Sequence, residues 1–155
     1  MTIYFLRHAE AEDAAESDFD RKLTPKGLQQ AARVGKFCVS RGLEPAVVLS
    51  SPVIRAKQTA GIVADALGCE PVVEDWLACG METSTLLARL APHSASDSVM
   101  IVGHEPDFSV AIGELLGTSE PTAVLVNKAS LTAVYAPWLE PGAGQLQFSI
   151  PCRLM

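Results

Sequence analysis

The chain has 155 residues and a mass of 16.5 kDa, enough for one domain that buries roughly 70% of the surface its unfolded form exposes. At 48% hydrophobic and 19% charged residues, the composition is that of an ordered globular protein. The formal net charge of -6 (12 Lys+Arg against 18 Asp+Glu) excludes nucleic acid and anionic membrane as main partners, because no basic excess exists to release counterions. One small anion in a local basic pocket remains compatible with it.

Thr2–Leu6 is the first expected strand, and an acid-rich loop runs on to Lys22. Thr24-Pro25 marks a helix start, with Thr as N-cap and Pro at the first helical position. Leu28, Ala31, Ala32, Gly35, Cys38 and Val39 then recur at helical spacing until Gly42. Ala46–Ser50 reads as the second strand. Ser51-Pro52 repeats the cap signal, and the stripe Ala56, Ala60, Val63, Leu67 stops at Gly68. Pro71–Val73 is a short strand, Thr83–Leu90 a helix, and Ser98–Val102 a buried strand. Gly103-His104-Glu105-Pro106 leads into a helix over Asp107–Leu116, ended by Gly117. Strands near Ser130–Ala136 and Gln145–Ile150, joined across Pro141-Gly142-Ala143-Gly144, suggest an antiparallel pair at the sheet edge. The alternation predicts an α/β fold: a three-layer α/β/α sandwich with a mostly parallel central sheet and an antiparallel edge strand, residues 1–155 forming one domain.

Cys38, Cys69, Cys79 and Cys152 show no CxxC pair and no zinc-like spacing, and read as reduced thiols. The apolar run Ile3–Leu6 is too short for a signal peptide, and no stretch approaches the ~20 apolar residues of a membrane helix. The expected setting is cytoplasmic.

Three strands end in polar residues of one kind. Ile3–Leu6 runs into Arg7-His8, Ala46–Ser50 into Ser51 and then Arg55, and Ser98–Val102 into His104. Right-handed crossovers make these strands parallel, so their C-terminal ends share the edge where open α/β sheets bind ligands. Arg55 lies on a first helical turn, where the macrodipole disfavours a cation unless an anion is bound. The set suits phosphoryl transfer through histidine: a neutral imidazole attacks phosphorus, and two guanidinium groups with a second, protonated imidazole neutralise the equatorial oxygens. His8 is expected to be neutral, its pKa lowered by the arginines, while an incoming dianion raises that of His104. The arginines supply the charge a magnesium ion would, so no metal and no cofactor is expected. There is neither a Gly-x4-Gly-Lys loop nor a C-x5-R motif.

Leu6-Arg7-His8-Ala9-Glu10, Leu23-Thr24-Pro25-Lys26-Gly27, the run from Ser50 to Thr59 and Val102-Gly103-His104-Glu105-Pro106 resemble the histidine phosphatase superfamily, related to phosphoglycerate mutase. The likeness is to the short, SixA-type phosphohistidine phosphatase branch, and it covers nearly the whole chain. It implies His8 as the phosphorylated nucleophile, Arg7 and Arg55 as phosphate ligands, and His104 as the second phosphate-binding histidine. The family's Arg-His-Gly is Arg-His-Ala here, which puts a methyl at Ala9 where the backbone packs closely.

Further out, Arg21 (beside Asp20) and Glu10 are candidates for the substrate rim. Glu10 and Glu105 are also placed to serve as acids or as partners of the histidines, though solvated carboxylates are the simpler reading. Glu82 is a weaker candidate proton donor, and His93 has no argument for function. The stretch between Val73 and Ser98 is too short for the insertion that carries the acid in larger family members. Imidazole leaves more readily than an alkoxide, and an open site admits a protein side chain. Both points favour a phosphohistidine-containing protein as substrate. A small-molecule phosphomonoesterase is the runner-up, and a non-catalytic phosphate-binding module the alternative outside enzymes.

Overall fold

A computed structural model of the protein describes residues 1–120 and 123–155. Six strands form one sheet: β1 (Thr2–Arg7), β2 (Val48–Ser50), β3 (Val72–Val73), β4 (Ser98–Gly103), β5 (Leu131–Tyr135) and β6 (Gln145–Ile150). Their order is β3-β2-β4-β1-β5-β6. The first four are parallel; β5 pairs antiparallel with β1, and β6 antiparallel with β5. Helices α1 (Pro25–Ser40), α2 (Ile54–Leu67), α3 (Thr83–Leu90) and α4 (Asp107–Leu116) fill the intervals.

The strand order assigns each helix to a face. From β1 to β2 to β3 the chain steps one way along the sheet, and from β3 to β4 to β5 it steps back. With right-handed crossovers between the parallel strands, α1 and α2 must cover one face and α3 the other, where α4 packs beside α3. The core divides accordingly. Leu6, Val48, Met100 and Val102 pack with Ala31, Val34, Ala56, Ala60 and Val63 of α1 and α2. Ile3, Phe5, Val99 and Ile101 point the opposite way, onto Leu86, Leu90, Phe108 and Ile112 of α3 and α4. This is the period-2 alternation of a strand buried on both sides.

Local signals set the helix bounds. The Thr24 hydroxyl accepts the Gly27 N–H at 3.0 Å, and Gly68 ends α2 in the left-handed conformation at φ 73. Gly35 lets α1 lie against α2, since a Cβ there would meet the Ala66 methyl at 2.8 Å. Ser51 departs from expectation: α2 starts at Ile54 with Val53 as its N-cap. The Ser51 hydroxyl instead accepts the Val53 N–H at 3.2 Å within the loop and meets the His104 ring. Among the described residues no helix is long and apolar enough to cross a membrane.

Candidate active site

Strands β1 and β4 are neighbours whose following helices leave to opposite faces, which opens a crevice between them at their C-terminal ends. Arg7 lies in register with Gly103, and the His8 N–H donates to the Gly103 carbonyl at 3.0 Å. The Ser51 N–H donates to the Val102 carbonyl at 2.9 Å, bringing the loop after β2 alongside. On the other side, the Ala129 N–H is shared between the Arg7 and His8 carbonyls at 3.2 and 3.1 Å. Ala129 does this from a left-handed φ of 55, a costly conformation for alanine. Arg7-His8 is therefore held from both sides.

His8 is 7% exposed, and its ring centroid lies 5.3 Å from that of His104. Its Nδ1 is 2.8 Å from the Ala9 carbonyl oxygen. A carbonyl only accepts, so Nδ1 carries the proton and Nε2 keeps its lone pair. That lone pair accepts from Arg55 Nε at 3.2 Å. Burial first, then the charges of His104, Arg55 and Arg7, push the His8 pKa down to about 3, although the Ala9 hydrogen bond opposes the shift. Burial thus does more than the arginines to keep this ring neutral.

Arg55, only 5% exposed, spreads its guanidinium over His8, Asp18 and the Cys79 sulfur, the last at 3.6 Å from Nη2. Beyond His8, Nη1 donates to the Asp18 carbonyl at 2.7 Å and Nη2 to the Asp18 carboxylate at 3.0 Å. Asp18 belongs to a 3-10 turn, Asp18–Asp20, in the acid-rich loop. Its other carboxylate oxygen accepts from Arg21 Nη1 at 2.8 Å. Hydrogen bonds from Arg21 and Arg55 hold the Asp18 carboxyl below its ordinary range. The Thr59 hydroxyl donates to the Arg55 carbonyl at 2.7 Å and accepts the Ala9 N–H at 3.1 Å.

His104 is 2% exposed, with Nε2 2.7 Å from the Ser51 hydroxyl. Burial, then Arg55, lower its pKa to about 4, Asp18 opposing and Arg7 adding to the effect, so it is neutral in the free protein near pH 7. Arg7 Nη1 donates to the Val126 carbonyl at 2.8 Å. Arg7 Nε and His104 Nδ1 are buried without a hydrogen-bond partner among the described residues. Orphans of this kind, on two members of one cationic cluster, are what a bound anion would satisfy.

The remaining candidates are bonded outside this cluster, although the lowering of the Arg7 pKa by burial is opposed by the Glu105 charge. Glu10 turns to Lys26 Nζ at 2.7 Å and to the Thr24 hydroxyl at 3.1 Å, at the start of α1. Arg21 reaches the site only through Asp18. The Glu105 carboxylate caps α4, accepting the Ser109 N–H at 3.2 Å and hydroxyl at 2.8 Å. Glu82 is exposed before α3, and His93 precedes β4, toward the opposite edge of the sheet. The Ala9 methyl is fully buried in the core beside α1 and α2. The close backbone approach lies at Gly27, where a Cβ would sit 1.9 Å from the Glu10 carbonyl oxygen. Sequence reasoning missed Asp18 and the Ser51 hydroxyl. Among the described residues no group of three or more His, Cys, Asp or Glu is placed to hold a metal ion.

A family model, histidine phosphatase superfamily (branch 1), matches residues 3–79, a span that includes Arg7, His8 and Arg55. An uncharacterized protein of Picosynechococcus sp. is 39% identical over 113 residues, which is 70% of this chain and 68% of that one. The chain belongs to the histidine phosphatase superfamily. Solved structures place it in the short SixA-type branch. One, assigned as a SixA phosphohistidine phosphatase from Agrobacterium tumefaciens, is 27% identical with a TM-score of 0.81 over 97% of both chains. Another, the protein histidine phosphatase SixA complexed with tungstate, shares the fold at 24% identity and a TM-score of 0.88, covering 99% and 98% of the two chains. The phosphoglycerate mutase of Corynebacterium jeikeium matches more narrowly, 39% over 80 residues, or 48% of this chain and 32% of the mutase. A histidine phosphatase of this kind is a phosphatase-class hydrolase.

A phosphate drawn to the Arg55 fork would have to displace Asp18 from it. The Asp18 side chain is 62% exposed, so the ion pair is a screened one. Asp18→Asn should tighten competitive inhibition by inorganic phosphate by about two- to fivefold, the range of an exposed pair. An unchanged inhibition constant would show that Asp18 does not compete.

Proposed function

We propose that the protein is a metal-independent phosphatase that works through a phosphohistidine on His8, and that its substrate is the phosphohistidine of a signalling or phosphotransfer protein. His8 Nε2, unprotonated and released by Arg55, donates its lone pair to phosphorus. A P–N bond forms there as the bond to the substrate imidazole breaks, its electron pair leaving on the substrate nitrogen. Arg7, Arg55 and His104 surround the oxygens, and water then attacks the His8 phosphoryl group, releasing phosphate and restoring the ring.

The state of Asp18 carries the choice of substrate. It is the carboxylate bonded at the site, and two arginines keep it ionised near neutral pH. It holds no proton for a departing alkoxide, and Glu105 is committed to Ser109. A leaving group that departs without a positioned acid is favoured, and an imidazole already protonated on its other ring nitrogen is one, because it leaves as the neutral ring. Four free cysteines and a protein substrate support a cytoplasmic setting. The test is phosphate release from a panel of histidine-phosphorylated proteins, free phosphohistidine and small phosphoesters, with and without a chelator. Comparable efficiency on assorted small esters would replace this reading with a small-molecule phosphomonoesterase. Loss of activity on chelation, restored by magnesium, would overturn the metal-independent mechanism.

His104 gives a second test. It is neutral in the free protein, its pKa about 4, and a dianion beside it raises that value. Binding therefore takes up a proton near pH 7, and affinity falls as pH rises through the pKa of the complex. Calorimetric titration with sulfate, which does not titrate in this range, in buffers of different ionisation enthalpy should show net uptake. His104→Gln should abolish most of it. Uptake unchanged in the variant would move the proton to another group.

A further inference from the structure

The basic residues are unevenly spread for a chain of net charge -6. Lys26, Arg33, Lys128 and Arg153, four of the 12 Lys+Arg, line two depressions of about 350 and 420 Å³ that share Gln30, Cys152 and Arg153 and so form one groove. Among the described residues, none of the 18 Asp and Glu lines it. Among the described residues, Lys26 is the one of these four cations with a carboxylate partner, Glu10, at the groove's edge. Three unpaired cations converge here from α1, the segment before β5 and the chain end after β6, although carboxylates outnumber bases over the whole chain.

The groove adjoins the phosphoryl site. The Gln30 side-chain oxygen accepts the N–H of Glu10, two residues beyond His8, at 2.8 Å. Lys128 directly precedes Ala129, whose N–H bonds the His8 carbonyl at 3.1 Å. Leu125, 75% exposed, lies along the same groove and offers an apolar contact among the charges.

We infer that this groove docks an acidic segment of the phosphoprotein, next to the phosphohistidine presented to His8. The inference rests on the proposed substrate class and specifies which such proteins are accepted. Charge complementarity selects the partner: a few carboxylates would pair with Arg33, Lys128 and Arg153, and an apolar neighbour would cover Leu125. Single-stranded nucleic acid fits less well. Among the described residues no aromatic side chain lines the groove for base stacking, and the overall negative charge opposes a polyphosphate.

The probes are three synthetic peptides of equal length, each with one phosphohistidine, flanked by Glu, Ser or Lys. The wild type should hydrolyse the Glu peptide with kcat/KM about 3- to 30-fold above the Ser peptide, as a few exposed ion pairs provide. The Lys peptide should be slowest, and the spread should collapse near 1 M salt, where the screening length is ~3 Å. The double variant Arg33→Glu, Arg153→Glu should invert the order while leaving hydrolysis of free phosphohistidine unchanged. Equal rates on the three peptides, or a Glu preference surviving in the variant, would overturn the proposal.

Binding of the unphosphorylated peptides, read by fluorescence anisotropy, separates this inference from the reaction. If no phosphohistidine is hydrolysed, the substrate reading fails. Tighter binding of the Glu peptide by the wild type, lost in the variant, would still support the groove. An oligonucleotide of matched charge binding more tightly than the Glu peptide would overturn it in favour of nucleic acid.

Discussion

Replacing His8 with Gln should abolish turnover together with the covalent adduct. Nδ1 is committed to the Ala9 carbonyl, so the ring presents one unprotonated nitrogen, and Arg55, the side chain bonded to it, has no lone pair to offer in its place. Removing a nucleophile that acts within a unit costs on the order of 10³- to 10⁶-fold in kcat. Brief incubation of the wild type with labelled substrate should trap an acid-labile, base-stable adduct at His8. Label on Cys79 or Asp18 would refute the assignment.

The pH response follows from the same burial. In the proposed reaction the attacking form is the neutral ring, so the acid-side loss of rate waits until pH drops through the His8 pKa of about 3, far below the ordinary imidazole value. The unfolded chain protonates both rings near pH 6.5, whereas the native rings resist until about 3 and 4. Between those limits the unfolded state binds more protons, so native stability rises with pH and is lost on acidification. The melting temperature of the free protein should fall between pH 7 and pH 5, and by less in the His8→Gln variant.

How much of this was legible in the sequence depended on how local the determinants are. Arg7, His8, Arg55 and His104 could be read because each follows a buried strand or opens a helix, and parallel strands bring those positions to one edge. The bounds Thr24, Gly68 and Gly117 could be read because caps act within a turn of the chain. Asp18 could not. It sits in an acid-rich loop with no periodicity, and what singles it out is a contact with Arg55, 37 residues further on. Ser51-Pro52 carried a cap signal that tertiary structure overrode, because the hydroxyl is turned to His104 and the helix starts later. The basic groove is assembled from positions 26, 33, 128 and 153, a spacing without pattern in one dimension.

Arg55 is where the free and anion-bound states should differ most. In the free protein its fork is occupied, Nε on the nucleophile's lone pair and both Nη groups on Asp18. An entering phosphoryl group must draw the guanidinium off both, which releases the His8 Nε2 lone pair as the positive charge reaches the oxygens. Arg55→Ala should therefore cost about 2–4 kcal/mol of transition-state stabilisation, roughly 30- to 10³-fold in kcat/KM, comparable to losing a preorganised donor. Arg55→Lys should restore little of it, because one ammonium cannot serve the nucleophile and two oxygens in a plane. The effect of Asp18→Asn on phosphate inhibition should also shrink sharply in the Arg55→Ala background, since the carboxylate is bonded to that guanidinium and reaches His104 only through its charge. Additive effects of the two changes, or full rescue by Lys, would mean that Arg55 supplies only a diffuse positive charge.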